Sequence, residues 1–364
     1  MTFNARFRIK LEKVTIITVA FMLIGTLLPL LNKILLNSHH SLGVSPEYDF
    51  TLDLLLGILS GFSGGLLGGI VLVFLINDKM RKKPFGIGIM LTAVFFVLIY
   101  YFTSFLIAFT QATSKSELPF YHQEVLSKVM DLVTAPMSVV TFMHWGLVVV
   151  GTQFMLQVND KFGQGVLKYF LIGKYHKPGE EERIFMFLDL KSSTTIAEKI
   201  GHHDYFNLLK DFYSDITYPI IATKGEIYQY VGDEIVVSWK MNNGLKNANC
   251  ICCFYEIKKK INQLSDKYHH KYGFVPDFKA GFHLGKVTAG EIGIIKRDIV
   301  YTGDVLNTCA RIQEQCNHHG VEILISEDLI KLIKTSAIGY PHKIGDIALR
   351  GKEEKIALYT LSGV

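Results

Sequence analysis

Four long apolar stretches, residues 14–36, 52–77, 85–110 and 136–158, all fall in the first 158 positions of a 364-residue chain. A helix needs roughly 20 apolar residues to cross the hydrocarbon core of a bilayer. Inside that core, only helices and closed barrels can satisfy their own backbone polar groups. The stretches therefore predict an α-helical transmembrane domain of four spans. The rest of the sequence is mixed and charged, and the composition changes once, near residue 159. The mean hydropathy of +0.27 alongside 20% charged residues reflects that division.

Charge placement predicts the orientation. Arg6, Arg8, Lys10 and Lys13 precede the first stretch, and Lys79, Arg81, Lys82 and Lys83 follow the second. Lys161, Lys168, Lys174 and Lys177 follow the fourth. The connection 37–51 has no Lys or Arg, and 111–135 has only Lys115 and Lys128. Both ends of the domain are thus expected in the cytoplasm, in a multi-pass protein of the inner cell membrane. No small-residue cleavage site follows the first stretch, so it reads as a retained anchor. The second stretch carries Gly57, Gly61, Gly64, Gly65, Gly68 and Gly69, a spacing compatible with close helix approach. His144 and Trp145 fit either a pocket lining or a helix contact.

The formal net charge is +5. Its basic residues in the first half sit beside apolar runs rather than along one face, so no nucleic-acid partner is expected. Five cysteines, Cys250, Cys252, Cys253, Cys309 and Cys316, form no CxxC set with a matching pair. That pattern suits a reduced compartment, not a zinc site or a disulfide framework. The organisation expected is a membrane domain over 1–158, a connector over 159–182 and a catalytic domain over 183–364. Within the connector, 166–172 reads as a short amphipathic helix ended by Lys177, Pro178 and Gly179.

The second half holds the chemistry. Residues 183–190, RIFMFLDL, read as a buried strand ending in an acid. Lys191, Ser192, Ser193 and Thr194 then lead into a helix. Free amides at a helix start favour phosphate, and Asp189 beside them suits a metal that neutralises it. Residues 226–239 alternate on both sides of Gly232-Asp233, as in a hairpin with a tight turn. Two carboxylates on neighbouring strand ends can hold two divalent ions for in-line displacement at phosphorus. Residues 279–293 read as two strands around Leu284-Gly285-Lys286. Downstream, Asn307 and Arg311 share one helix face. Arg350 and Lys352 precede a final strand. The histidine pairs 202–203, 269–270 and 318–319 and the run Lys258-Lys259-Lys260 read as solvated surface.

FLDLKSST, YVGDE, GFHLGKVTAGEIG, TGDVLNTCARI and LRGKEEKIALYTL occur here in the order seen in class III nucleotidyl cyclases, which this half of the chain resembles. The resemblance implies an α+β, ferredoxin-like catalytic domain acting as a head-to-tail homodimer with sites between subunits. It implies that Asp189 and Asp233 bind Mg2+ or Mn2+, two per site. By the same resemblance, Ser192, Ser193 and Thr194 cradle the triphosphate, and Arg350 grips the terminal phosphates with Lys352 nearby. Asn307 orients the ribose, and Arg311 stabilises the pentavalent phosphate.

Gln229 and Val300 stand where the family reads the base. Adenylyl cyclases usually carry Lys at the first position and Asp or Thr at the second, and guanylyl cyclases typically carry Glu at the first. Gln offers a purine edge both a donor and an acceptor, whereas Val offers only packing. The expectation is a membrane-anchored adenylate cyclase making 3',5'-cyclic AMP and pyrophosphate from ATP. The alternatives are a guanylate cyclase using GTP, or an inactive cyclase-like membrane receptor.

Overall fold

The computed structural model describes residues 2–38, 49–77, 85–114, 119, 121–162, 169–170, 172–295, 297–333, 339–348 and 355–362. Arg350, Lys352, the basic cluster 79–83 and most of the expected connector helix lie outside them. The chain divides into two compact units, one built from residues 6–161 and one from residues 1–5 together with residue 162 onward.

The first unit is helical: α1 (Thr2–Gly25), α2 (Leu27–Ser38), α3 (Phe50–Ile70), α4 (Phe85–Ser114), α5 (Gln123–Thr134) and α6 (Pro136–Phe162). A π-helical turn, Val71–Ile76, extends α3. Four helical segments, Phe7–Ile34, Phe50–Ile76, Gly86–Thr113 and Ser138–Lys161, are long and apolar enough to cross a membrane. The first is made of two pieces. Pro29 has no N–H to return to Gly25, and the chain breaks at Thr26, whose hydroxyl donates to the Leu23 carbonyl at 2.7 Å. Glycine lets α3 meet α1 and the start of α2. A Cβ on Gly57 would lie 2.3 Å from the Gly25 carbonyl oxygen, and one on Gly61 2.4 Å from that of Phe21. Helix α5 falls in what the sequence read as a loop. Its Val125 and Val129, one turn apart, are buried against Ala108 and Ala112 of α4.

In the second unit the order is β1 (Gly179–Leu190), α7 (Ser193–Ile200), α8 (His202–Ala222), β2 (Glu226–Val231), β3 (Glu234–Lys240), α9 (Met241–Leu245), α10 (Asn249–Gln263), α11 (Ser265–Tyr272), β4 (Phe278–Ile292), β5 (Asp298–Thr302), α12 (Asp304–His319), β6 (Ile323–Ser326), α13 (Glu327–Leu332), β7 (Tyr340–Ala348) and β8 (Lys355–Ser362). One sheet runs β2-β3-β1-β4-β6-β8-β7, with β5 paired to β4 off that path. The β2-β3-β1-β4 centre, with its intervening helices, is the α+β, ferredoxin-like arrangement. Strand β1 is central and covered on both faces, so its run is continuously apolar. Ile184, Met186 and Leu188 pack with Phe212 of α8 and Phe254 of α10. Phe185 and Phe187 point the other way, into a cluster with Val305 and Cys309 of α12.

Residues 278–292 form one unbroken strand rather than two. Gly285, read from sequence as a turn, has a packing role instead. A Cβ there would lie 2.6 Å from Val305 of α12. Gly281 serves the same purpose, with the Gln313 backbone nitrogen 2.4 Å from an added Cβ. Two glycines on β4 thus let α12 lie directly on the sheet. All five cysteines are free, and four are buried. The paired histidines are exposed.

Arg183 is a buried cation of this unit, 0% exposed. Its guanidinium donates to Glu181 at 2.8 Å, Glu226 at 2.7 Å and Ser238 at 3.1 Å, and lies over the Tyr301 ring. Burial acts to raise the Glu181 pKa. Hydrogen bonds and charge from Lys174 and Arg183 overcome that and hold it at about 2. A depressed folded pKa contributes stability above the unfolded value, 4.5, and loses it as pH falls towards about 2. Glu181→Gln should therefore cost about 1–2 kcal/mol near neutral pH after allowance for solvent screening. The gap from wild type should close on acidification through that window, as read by chemical unfolding at a series of pH values. A gap that does not change with pH would remove Glu181 from the acid response.

Candidate active site at the ends of β1 and β3

Asp189 is the penultimate residue of β1. In register it faces Glu234 on β3 and Lys279 on β4. Directly opposed residues share one face of a sheet, so the three form a row of two acids and one cation. Lys279 is 6% exposed, and its ammonium lies 3.4 Å from the Asp189 carboxylate. Gln313, reaching down from α12, donates to the same oxygen at 3.1 Å. Helix α12 can place Gln313 there because Gly281 lets it approach.

Asp233 sits at the tip of the β2–β3 hairpin. Gly232 precedes it with φ +61°, a left-handed conformation that suits a tight turn. The tip is tied down by Tyr213 of α8, whose hydroxyl donates to the Gly232 carbonyl at 3.0 Å and whose ring packs on Tyr230. This anchorage brings Asp233 within hydrogen-bonding reach of Asp189. Burial, then Asp233, push the Asp189 pKa up, while Lys279 and Gln313 act against them. Glu234 is pushed up to about 7, first by burial and then by the charges of Asp189 and Asp233. Three crowded carboxyl groups thus share one close ammonium. The site carries uncompensated negative charge, and its donors are hard oxygens.

Such a donor set fits divalent cations of the Mg2+ or Mn2+ type. Asp189 and Asp233 supply the facing carboxylates. Among the described residues no group of three His, Cys, Asp or Glu side chains is arranged to enclose a metal by itself. A cation here needs oxygens from elsewhere, as expected where a substrate phosphate completes the shell.

Beside the acids, Ser192 adopts φ +56° and ψ 32° before α7 begins at Ser193. A non-glycine residue in that region stores strain of order 1 kcal/mol. The kink turns the first amides of α7, around Ser193 and Thr194, out of the strand direction. The first amides of a helix have no partner within it. Tyr205 of α8 hydrogen-bonds Ser193 and feels the charges of Asp233 and Asp189, which links this turn to the carboxylates.

Asn307 and Arg311 both lie on α12, the first exposed and the second half-buried. Arg311 makes no hydrogen bond or ion pair with any described residue. Gln229 is exposed on β2, and Val300 is half-buried on β5. Their neighbours Tyr228 and Tyr301 are in contact, with ring centroids 4.9 Å apart and the Tyr301 amide donating to the Tyr228 hydroxyl at 3.1 Å.

The structure thus joins Asp189, Asp233 and the 192–194 turn; Asn307 and Arg311 share α12, and Gln229 and Val300 lie on β2 and β5. Sequence reasoning missed Lys279, Gln313, Glu234 and Tyr213. Lys279 had a signal, as the one charge in the run FKAGFHL. Gln313 had a weaker one, as an amide next to Ile312 in the apolar stripe of α12.

Residues 176–363 match the family model described as the adenylate and guanylate cyclase catalytic domain. The chain is 33% identical over 209 residues to adenylate cyclase 2 of Rhizobium meliloti (strain 1021), covering 57% of this chain and 58% of that protein. It is 23% identical over 196 residues to guanylate cyclase 2G of Mus musculus, covering 52% of this chain and 17% of that one. Among solved structures, a bacterial light-regulated adenylyl cyclase superposes with a TM-score of 0.52 at 19% identity, covering 63% of this chain and 66% of that one. The last likeness is one of fold. The chain spans less than two thirds of the length of these two curated relatives.

Proposed function

This chain belongs to the adenylate and guanylate cyclase catalytic-domain family through residues 176–363, and from that membership we propose that it is a membrane-anchored adenylate cyclase that turns ATP into 3',5'-cyclic AMP and pyrophosphate. The observation carrying the reading is the Asp189–Asp233 pair, braced by Lys279 and Gln313 beside the strained Ser192 turn. Asp189 and Asp233 would hold the Mg2+ or Mn2+ ions. When bound, these supply Lewis-acid activation of the ribose 3'-hydroxyl and neutralise charge on the triphosphate. Lys279 and Gln313 fix the rotamer of Asp189. The amides around Ser192, Ser193 and Thr194 face the phosphates, with Arg350 and Lys352 assigned to their far end. Asn307 orients the ribose. Arg311 meets the negative charge that grows on the α-phosphate, so its effect falls mainly on turnover.

The R. meliloti relative named an adenylate cyclase is more similar than the relatives named guanylate cyclases, which supports ATP. Gln229 in place of Lys supports the alternative, GTP. Turnover by the full chain in detergent, with ATP and GTP offered separately under Mg2+ and Mn2+, decides between them. Cyclic AMP should dominate. Mostly cyclic GMP would overturn the substrate assignment, and no cyclic product with either would leave a cyclase-like receptor.

The four spans would anchor the enzyme in the inner membrane with the catalytic unit in the cytoplasm, the connector joining the two. Two copies would share each site. The surface of the catalytic unit supports this: Ile294 is 92% and Ile295 103% exposed in the β4–β5 connection, beside exposed Ile292. A contiguous exposed apolar group of this kind suits a protein partner. Ile294→Asp with Ile295→Asp should lower specific activity by about tenfold or more and shift the purified protein towards monomer, since charge at an apolar contact is strongly disfavoured. Light scattering and product assay report both. Unchanged mass and rate would remove this edge from the dimer.

A further inference from the structure

Within the helical unit lies a cavity of about 280 Å3. Its wall includes the rings of Phe21, Phe96, Tyr100 and Trp145. Trp145 stacks on Phe21 with centroids 5.5 Å apart and planes 25° from parallel. Part of the α3 wall is bare. Gly64 and Gly68 both line the cavity, and a Cβ added to either meets no atom within 4 Å. These two glycines are separate from Gly57, Gly61 and Gly65, which carry the close helix contact.

The hydroxyls of the wall are committed. Ser60 donates to the Gly57 carbonyl at 2.9 Å, Thr103 to that of Ile99 at 2.9 Å, and Tyr100 to that of Ser138 at 2.7 Å. His144 differs. Its Nε2 is buried and has no hydrogen-bond partner, a state shared among the described residues only by Gln153 Oε1. Leaving a buried polar atom unpaired is unfavourable, and a hydrogen-bonding ligand would remove that cost. Among the described residues no Lys or Arg lines the cavity, and the charged wall residue is Asp53. Anionic occupants such as fatty acids or lipid phosphates therefore find no counter-charge there.

We propose that this cavity binds a neutral, lipid-soluble ring compound of the quinone class. Its ring lies between Trp145 and the Gly64–Gly68 wall, and a carbonyl oxygen accepts from the Nε2–H tautomer of His144 once the imidazole turns towards the cavity, since Nε2 is closed off in the resting structure. An imidazole N–H to a carbonyl is an ordinary pairing, and flat rings pack well on aromatic walls. This site is independent of the nucleotide chemistry, and its test does not use cyclase activity.

The chain has two tryptophans, Trp145 and Trp239, and a bound quinone ring should quench the one it touches. A benzoquinone with a ten-carbon tail is titrated into the full chain in lipid nanodiscs while tryptophan emission is read. The expected result is a saturable quench that Trp145→Phe abolishes. His144→Phe keeps a ring and removes Nε2, and should weaken the affinity by about tenfold, the range for a lost buried hydrogen bond. Gly64→Leu grows into empty space and should block binding without disturbing the fold. Quenching that rises linearly, as in lipid carrying no protein site, would overturn the proposal. So would equal affinity in the His144→Phe and Gly64→Leu variants, or equal displacement by decanol, which has the tail but no ring.

Discussion

Asp189→Asn should reduce cyclic-nucleotide formation by about a thousandfold, roughly 4 kcal/mol of transition-state stabilisation. The substitution keeps the shape of the side chain and an oxygen to accept from Gln313. It removes one of the two facing carboxylates, and with it the hard anionic oxygen that a divalent cation prefers. It also leaves the Lys279 ammonium beside a neutral amide, so the local charge shifts in the positive direction. The fold should survive. Removing a carboxylate whose ionisation is disfavoured by burial and by Asp233 relieves repulsion in the metal-free protein. Far-UV circular dichroism and the thermal midpoint, measured without added metal, should therefore match wild type or exceed it. Chromatographic product assay at saturating nucleotide and Mn2+ gives the decisive number. Activity within about tenfold of wild type would show that the metal site lies elsewhere.

What the sequence made legible follows from the range of the forces involved. The spans were readable because bilayer thickness sets a length and apolarity requirement that no short motif can imitate. The Gly232-Asp233 turn was readable because a hairpin tip is a local event. Local patterns failed where a distant segment decides the outcome. Gly285 carries a turn residue's composition, yet it lies in mid-strand because Val305 of α12 needs the space. Helix α5 carries an amphipathic stripe of Val125, Val129 and Val133, but at 12 residues it is too short to cross a bilayer and fell within a connection between spans. At the site, the two aspartates were legible through their strand ends. Their braces were not. Lys279 and Gln313 reach Asp189 only through strand register and helix docking, which join residues 90 and 124 positions away along the chain.

The second large effect expected is at Arg311. Its half-buried guanidinium has no partner among the described residues, so Arg311→Ala breaks no ion pair among them. The loss should appear in turnover: kcat falls by about 10^2–10^3-fold while KM stays within about threefold. That is the signature of an interaction made mainly in the transition state. The same variant tests whether two copies share a site. In a two-fold dimer with Asp189 from one copy and Arg311 from the other, pairing Asp189→Asn with Arg311→Ala puts both lesions in one site. The other site is then intact. Heterodimers isolated through two different affinity tags should recover about half of wild-type specific activity, although each parent is nearly inactive. If both residues served the site of their own chain, each site of the heterodimer would carry one lesion, and its activity would stay at the parental level. Arg311 has no ion-pair partner among the described residues, and Asp189 stands among three carboxyl groups with Lys279 as its close cation; the heterodimer assay reads directly whether a second chain brings the two together.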